Sequence, residues 1–156
     1  MFANLNQLEF LYMDSNELTS VNAFHHLPLL KELNITHNLI ASMQGVSDLV
    51  SLKVLDISWN RLNKMDNAFA SLINLETLSL ANNNIQILSE SVFTSLTNIF
   101  WLDLSGNDLL KINSNVFANL INMNSLILRD NPIVNKERTH AMNLCNLNAL
   151  NCTVFI

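Results

Sequence analysis

The sequence predicts a repeat fold: six similar units, each a short strand followed by a turn, stacked so that every unit completes its neighbours. Three observations predict it. First, an eleven-position template of apolar residues and one asparagine, LxxLxLxxNxL, returns along the chain. Second, its asparagines stand at 16, 38, 60, 83, 107 and 131, spaced 22, 22, 23, 24 and 24 residues apart, a register that chance does not hold over a whole chain. Third, apolar and polar residues alternate inside the template, the period-2 pattern of a strand buried on one face. In Ile99 to Leu109, IFWLDLSGNDL, Leu102 and Leu104 alternate with Trp101, Asp103 and Ser105 before Gly106 and Asn107 turn the chain.

Taken in order, the template fits Leu8, Leu11, Met13, Asn16 and Leu18, then Leu30, Leu33, Ile35, Asn38 and Ile40. The third copy is Leu52, Leu55, Ile57, Asn60 and Leu62, and the fourth is Leu75, Leu78, Leu80, Asn83 and Ile85. The stretch from Ile99 is the fifth, and Met123, Leu126, Leu128, Asn131 and Ile133 make the sixth. Between copies the chain returns through an apolar residue, a Phe and a Leu: Val21, Phe24, Leu27; Met65, Phe69, Leu72; Leu88, Phe93, Leu96; Ile112, Phe117, Leu120. The second copy departs, with Met43, Val46 and Leu49, which thins its return arc without moving the register.

With these residues in place the chain resembles the leucine-rich repeat proteins over Phe2 to about Ile133. The resemblance implies an α/β leucine-rich-repeat solenoid: a curved parallel β-sheet on the concave face, with loops and short 3-10 or helical turns on the convex face. One repeat offers roughly seven apolar side chains at about 1.5–3 kcal/mol each, against an ordering cost of about 1–2 kcal/mol per residue. A lone repeat therefore cannot fold, and the two ends of the stack need covers.

The ends are expected to differ. Phe2-Ala3-Asn4-Leu5 matches Phe117-Ala118-Asn119-Leu120 residue for residue, so the chain reads as starting inside the convex half of a repeat, a piece of a longer array. Residues 1–7 are then a partial repeat and six repeats follow from residue 8 to 133. Self-association through the apolar N-terminal edge is expected. From 134 to 156 a C-terminal cap is predicted: after Asn131-Pro132, Lys136 onward reads as a helix with Leu144, Leu147 and Leu150 on one side, then a short strand Thr153 to Ile156. Caps of intracellular family members carry an aromatic residue and an arginine where this chain has Thr139 and His140.

Composition narrows the function. The chain has 156 residues, 49% hydrophobic and 13% charged, with 8 basic against 13 acidic side chains. That supplies a core but no basic stripe, so nucleic acid is not an expected partner. No apolar run reaches the eighteen or so positions of a spanning helix, and no membrane contact is expected of this segment. Only Gly45 and Gly106 are present, too few for a phosphate-cradling loop or a nucleophile elbow. His25, His26, His37 and His140 lack metal-ligand spacing, and His25 and His26 read as a solvated convex turn. Asp56 and Asp103 would lie two strands apart, about 9–10 Å, too far for one metal to bridge. The chain reads as non-enzymatic and free of cofactor or metal.

Several features read as structural. The column Asn16, Asn38, Asn60, Asn83, Asn107 and Asn131 can turn inward and satisfy backbone groups where each strand ends, since an amide both donates and accepts. Cys145 and Cys152 are either one bridge across the cap or two small buried hydrophobes. Sequons at Asn34-Ile35-Thr36 and Asn151-Cys152-Thr153 say nothing of secretion, because 26 asparagines and 21 Ser or Thr would supply about three or four by chance.

The remaining signal is on the outward strand positions. Phe10, Tyr12 and Trp101 are expected to face solvent there, with Trp59 just beyond the strands between His37 and Asn82. Large exposed aromatics beside carboxylates suit a protein partner, because Trp and Tyr supply buried area at low entropic cost. The predicted binding set is Phe10, Tyr12, Asp14, Asp56, Trp59, Trp101 and Asp103, the carboxylates setting polarity toward basic groups. The 24-residue copies from Leu88 to Leu120 are similar to those of cell-surface and secreted recognition proteins, Toll-type receptor ectodomains among them. The 22-residue copies and the tail are similar to those of cytosolic or ciliary scaffolds.

Overall fold

The computed structural model describes residues 2, 4–43, 49–63, 65, 68–113, 115–133 and 153–155. Seven three-residue strands form one parallel sheet in chain order: β1 Phe10–Tyr12, β2 Glu32–Asn34, β3 Val54–Asp56, β4 Thr77–Ser79, β5 Trp101–Asp103, β6 Ser125–Ile127 and β7 Thr153–Phe155. The register is uniform. Leu11, Leu33, Leu55, Leu78, Leu102, Leu126 and Val154 form one row across the sheet. This is the parallel-sheet solenoid that the repeat template predicts, and the predicted terminal strand appears as β7 beside β6.

Each strand centre points inward, and so does the residue two positions on, Ile35, Ile57, Leu80 or Leu104, before the chain turns. Leu33, Leu55, Leu78, Leu102 and Leu126 are fully buried, while the residues flanking them face outward. Main-chain bonding continues one step past the strands, with Ile35 N donating to Asp56 O, Leu80 N to Asp103 O and Leu104 N to Ile127 O.

The return arcs are chains of single i→i+3 turns. Phe24 N donates to Val21 O, Leu72 N to Phe69 O, Leu96 N to Phe93 O and Leu120 N to Phe117 O. An apolar residue at every third position therefore stays on one side, which is why Phe and Leu stand three apart in the sequence. One arc, Asn22–Phe24, is a 3-10 helix, and no α-helix occurs among the described residues. The predicted helical cap at 134–152, with Cys145, Cys152 and Asn151, lies outside them, as does Val46 of the thinner arc.

Phe69, Phe93 and Phe117 stack at 6.1 and 6.0 Å between ring centroids. Phe2 stacks on Phe24 at 5.8 Å, so it occupies the position its match to Phe117 predicts. This ring repeat exceeds the ~4.8 Å between strands. The sheet is thus the tighter side of the stack and lines its concave face.

Candidate functional site

The sheet's open face ends in two columns that the fold imposes. Asn38, Asn60, Asn83, Asn107 and Asn131 are buried, with 5–7% of their surface exposed. Each reaches both within its own repeat and into the one before. Asn83 Nδ2 donates to Leu80 O, Ala81 O and, one repeat earlier, Ile57 O, while its Oδ1 accepts from Leu62 N at 2.9 Å. Asn107 repeats this with Leu104, Ser105, Leu80 and Ile85 N. Asn16 departs from the inward column expected of it. It sits past the edge strand β1, is exposed, and bonds only its own repeat's Met13 O and Asp14 O.

The residue before each of these asparagines is left-handed: Ser15, His37, Trp59, Asn82, Gly106 and Asp130 have φ between 51° and 63°. Reversing hand there lets the following asparagine swing its amide inward. Gly, Asn and Asp adopt this backbone readily, but a bulky residue pays about 1–2 kcal/mol. His37 and Trp59 carry that strain, both exposed and with their rings stacked at 5.2 Å and 10°.

Phe10 and Tyr12 leave β1 on the same face, 51% and 57% exposed, and Asp14 follows them in the open. Two strands on come Asp56 and, past the turn, Trp59, which is 53% exposed. Two further strands on, β5 carries Trp101 and Asp103, both half-buried, so Trp101 is less open than the alternation predicts. The predicted residues thus share one face but form three stations on alternate strands, spread over roughly 19 Å at the usual strand spacing.

Asp56 and Asp103 also have local work that the sequence reading did not assign. Asp56 Oδ1 accepts from Ser58 N and Ser58 Oγ, and Asp103 Oδ1 accepts from Ser105 N at 2.8 Å. Asn34 Oδ1 does the same for Thr36 N. These side chains brace the turn after the strand, and any contact they make with a partner is in addition to that.

Glu32 joins the first station. It lies in register with Phe10. Partial desolvation, then hydrogen bonding toward Glu32 and the repulsion of its carboxylate, hold the Tyr12 phenol above its usual value of 10.0. Among the described residues no group of three or more His, Cys, Asp or Glu could hold a metal ion.

Comparison with known proteins fits this geometry. The family model described as leucine rich repeat matches residues 1–40, 19–62 and 50–109. Human Toll-like receptor 8 is 35% identical over 95 residues, which is 54% of this chain and 9% of the receptor. Human lumican is 35% identical over 88 residues, 54% of this chain and 25% of lumican. Human leucine-rich repeat-containing protein 3C is 46% identical over 44 residues, 27% of this chain and 16% of that protein. The matches thus span a quarter or less of each of these curated relatives. Among solved structures, a leucine-rich repeat protein of Leptospira interrogans superposes with a TM-score of 0.67 at 24% identity, covering 97% of this chain and 50% of that one, a likeness of fold.

Proposed function

This chain belongs to the leucine-rich repeat family, and on that premise we propose that it is an interaction module whose protein partner lies across the concave sheet face. The observation that carries the reading is the asymmetry of the strands. Their inner residues are buried to the last side chain from β2 to β6, while the outer face leaves Phe10, Tyr12 and Trp59 half open to water. Exposed aromatics of this size are the usual anchors of protein interfaces. Phe10, Tyr12, Trp59 and Trp101 are the proposed anchors, and Asp14, Asp56 and Asp103 set the polarity.

The matches to Toll-like receptor 8 and lumican support a cell-surface or secreted recognition protein as the setting. The alternative is a cytosolic or ciliary scaffold, favoured by the 22-residue spacing of the first repeats. In either setting the segment acts by binding rather than by chemistry.

The test uses dodecapeptides selected from a random library on the wild-type chain. Trp59→Ala and Trp101→Ala are expected to weaken the selected peptides at least tenfold while leaving Tm nearly unchanged. Ile87→Ala, which trims a residue exposed away from the sheet, is expected to change nothing. Peptides that bind both tryptophan variants as well as wild type would overturn the concave-face reading.

A further inference from the structure

Resting on that reading, we propose that Phe10, Tyr12 and Glu32 form a seat for one cationic side chain, an arginine or lysine presented by the partner. The register places the pieces. Glu32 is the in-register neighbour of Phe10, and Tyr12 is two residues further along the same face, so a carboxylate lies beside two exposed rings. The Glu32 side chain comes near enough to the Tyr12 hydroxyl to act on it, while the Tyr12 ring is 57% exposed and free for contact.

The local charges favour a cation. Among the described residues the nearby lysines are committed elsewhere: Lys31 pairs with Glu9 at 2.8 Å and Lys53 with Glu76 at 2.7 Å. The outward residues around the seat are Asn34, Val54, Asp14 and Asp56, none of them basic. Arg129 follows β6, four strands from Glu32. A guanidinium or ammonium can accept both offers at once, a charge-assisted hydrogen bond to the carboxylate and the face of an aromatic ring. A neutral apolar side chain would satisfy the rings but bury Glu32 without a partner, and an anion would meet three carboxylates.

The probe is acetyl-Gly-Arg-Gly-amide against its Gln counterpart, titrated into the full chain and followed by amide and side-chain NMR shifts. The expected result is a saturable shift confined to Phe10, Tyr12, Glu32 and their neighbours for the Arg peptide, at least fivefold weaker for the Gln peptide, and reduced to the Gln level by Glu32→Gln. Glu32→Gln keeps the side chain's shape, and an unchanged Tm shows that it folds. Equal binding of the two peptides, or shifts centred on Asp103 instead, would overturn the seat. The library-selected peptides separate this from the wider reading. If they need Trp59 and Trp101 but neither a basic residue nor Glu32, the seat fails and the concave-face reading stands; if they ignore the tryptophans, the wider reading fails.

Discussion

Replacing Asn83 with Leu tests the reason for the asparagine column. The two side chains have the same number of heavy atoms and branch at the same carbon, so the change removes hydrogen bonds and leaves no cavity. Leu62 N would lose its acceptor, and Ile57 O, Leu80 O and Ala81 O would lose two shared N–H donors, all in a buried setting. At about 1–3 kcal/mol for a stranded donor and about 1 kcal/mol for each lost donation, the expected cost is about 3–5 kcal/mol. That is a large part of the 5–15 kcal/mol typical of a folded domain. Asn16→Leu is the matched control. Asn16 is exposed and bonds only Met13 O and Asp14 O, both of which water can reach, so about 0.5–1 kcal/mol is expected. Urea denaturation followed by far-UV circular dichroism and by the fluorescence of Trp59 and Trp101 gives the two midpoints. Equal midpoints, or an Asn83→Leu chain as stable as wild type, would refute the argument that the column closes the gap between repeats.

Three further outcomes are expected. Gly106→Ala puts a side chain on a φ of +63° with its Cβ 2.4 Å from Asn82 Oδ1; a loss of about 1–3 kcal/mol is expected, and repeating it in an Asn82→Ala background removes only the part due to the clash. Phe93→Ala, between two stacked rings, should cost about 3–5 kcal/mol, and a double-mutant cycle with Phe117→Ala should show coupling of about 0.5–1.5 kcal/mol. Absorbance titration of Tyr12, the single tyrosine, should give a midpoint above the usual value, and Glu32→Gln should lower it. Because the folded state holds the phenol proton more tightly than the unfolded chain, stability from this site is complete below the unfolded pKa and declines as pH rises through the folded one.

Much of the fold was legible because a repeat states its own register six times. The alternation around Leu102 is weak in one copy and compelling in all of them, and the match of Phe2 to Phe117 puts Phe2 in the convex half of a repeat, where its ring stacks on Phe24. The candidate site was legible only as a face. That Trp101 is half-buried while Trp59 stays open depends on how neighbouring repeats crowd each side chain. Period-2 spacing carries no such information. A second polar ladder escaped the reading altogether. Asn74, Asn98 and Asn122 each donate from just before a strand to a carbonyl of the previous repeat, Val50 O, Ile73 O and Thr97 O. Its signal was present in the regular spacing of these asparagines but is hard to separate from a chain so rich in that residue.

By itself the sequence determined which residues are scaffold. Burial repeats with the template, and any residue demanded by stacking must recur at Leu102, Leu104, Asn107 and their equivalents. Tertiary structure alone decided the outward fate of Asn16 and the meeting of Tyr12 with Glu32. Each of these is set between residues about twenty positions apart, or by whether an earlier strand is there to bond. A local pattern cannot contain them, because the physical partner arrives only when one turn of the solenoid is laid on the next.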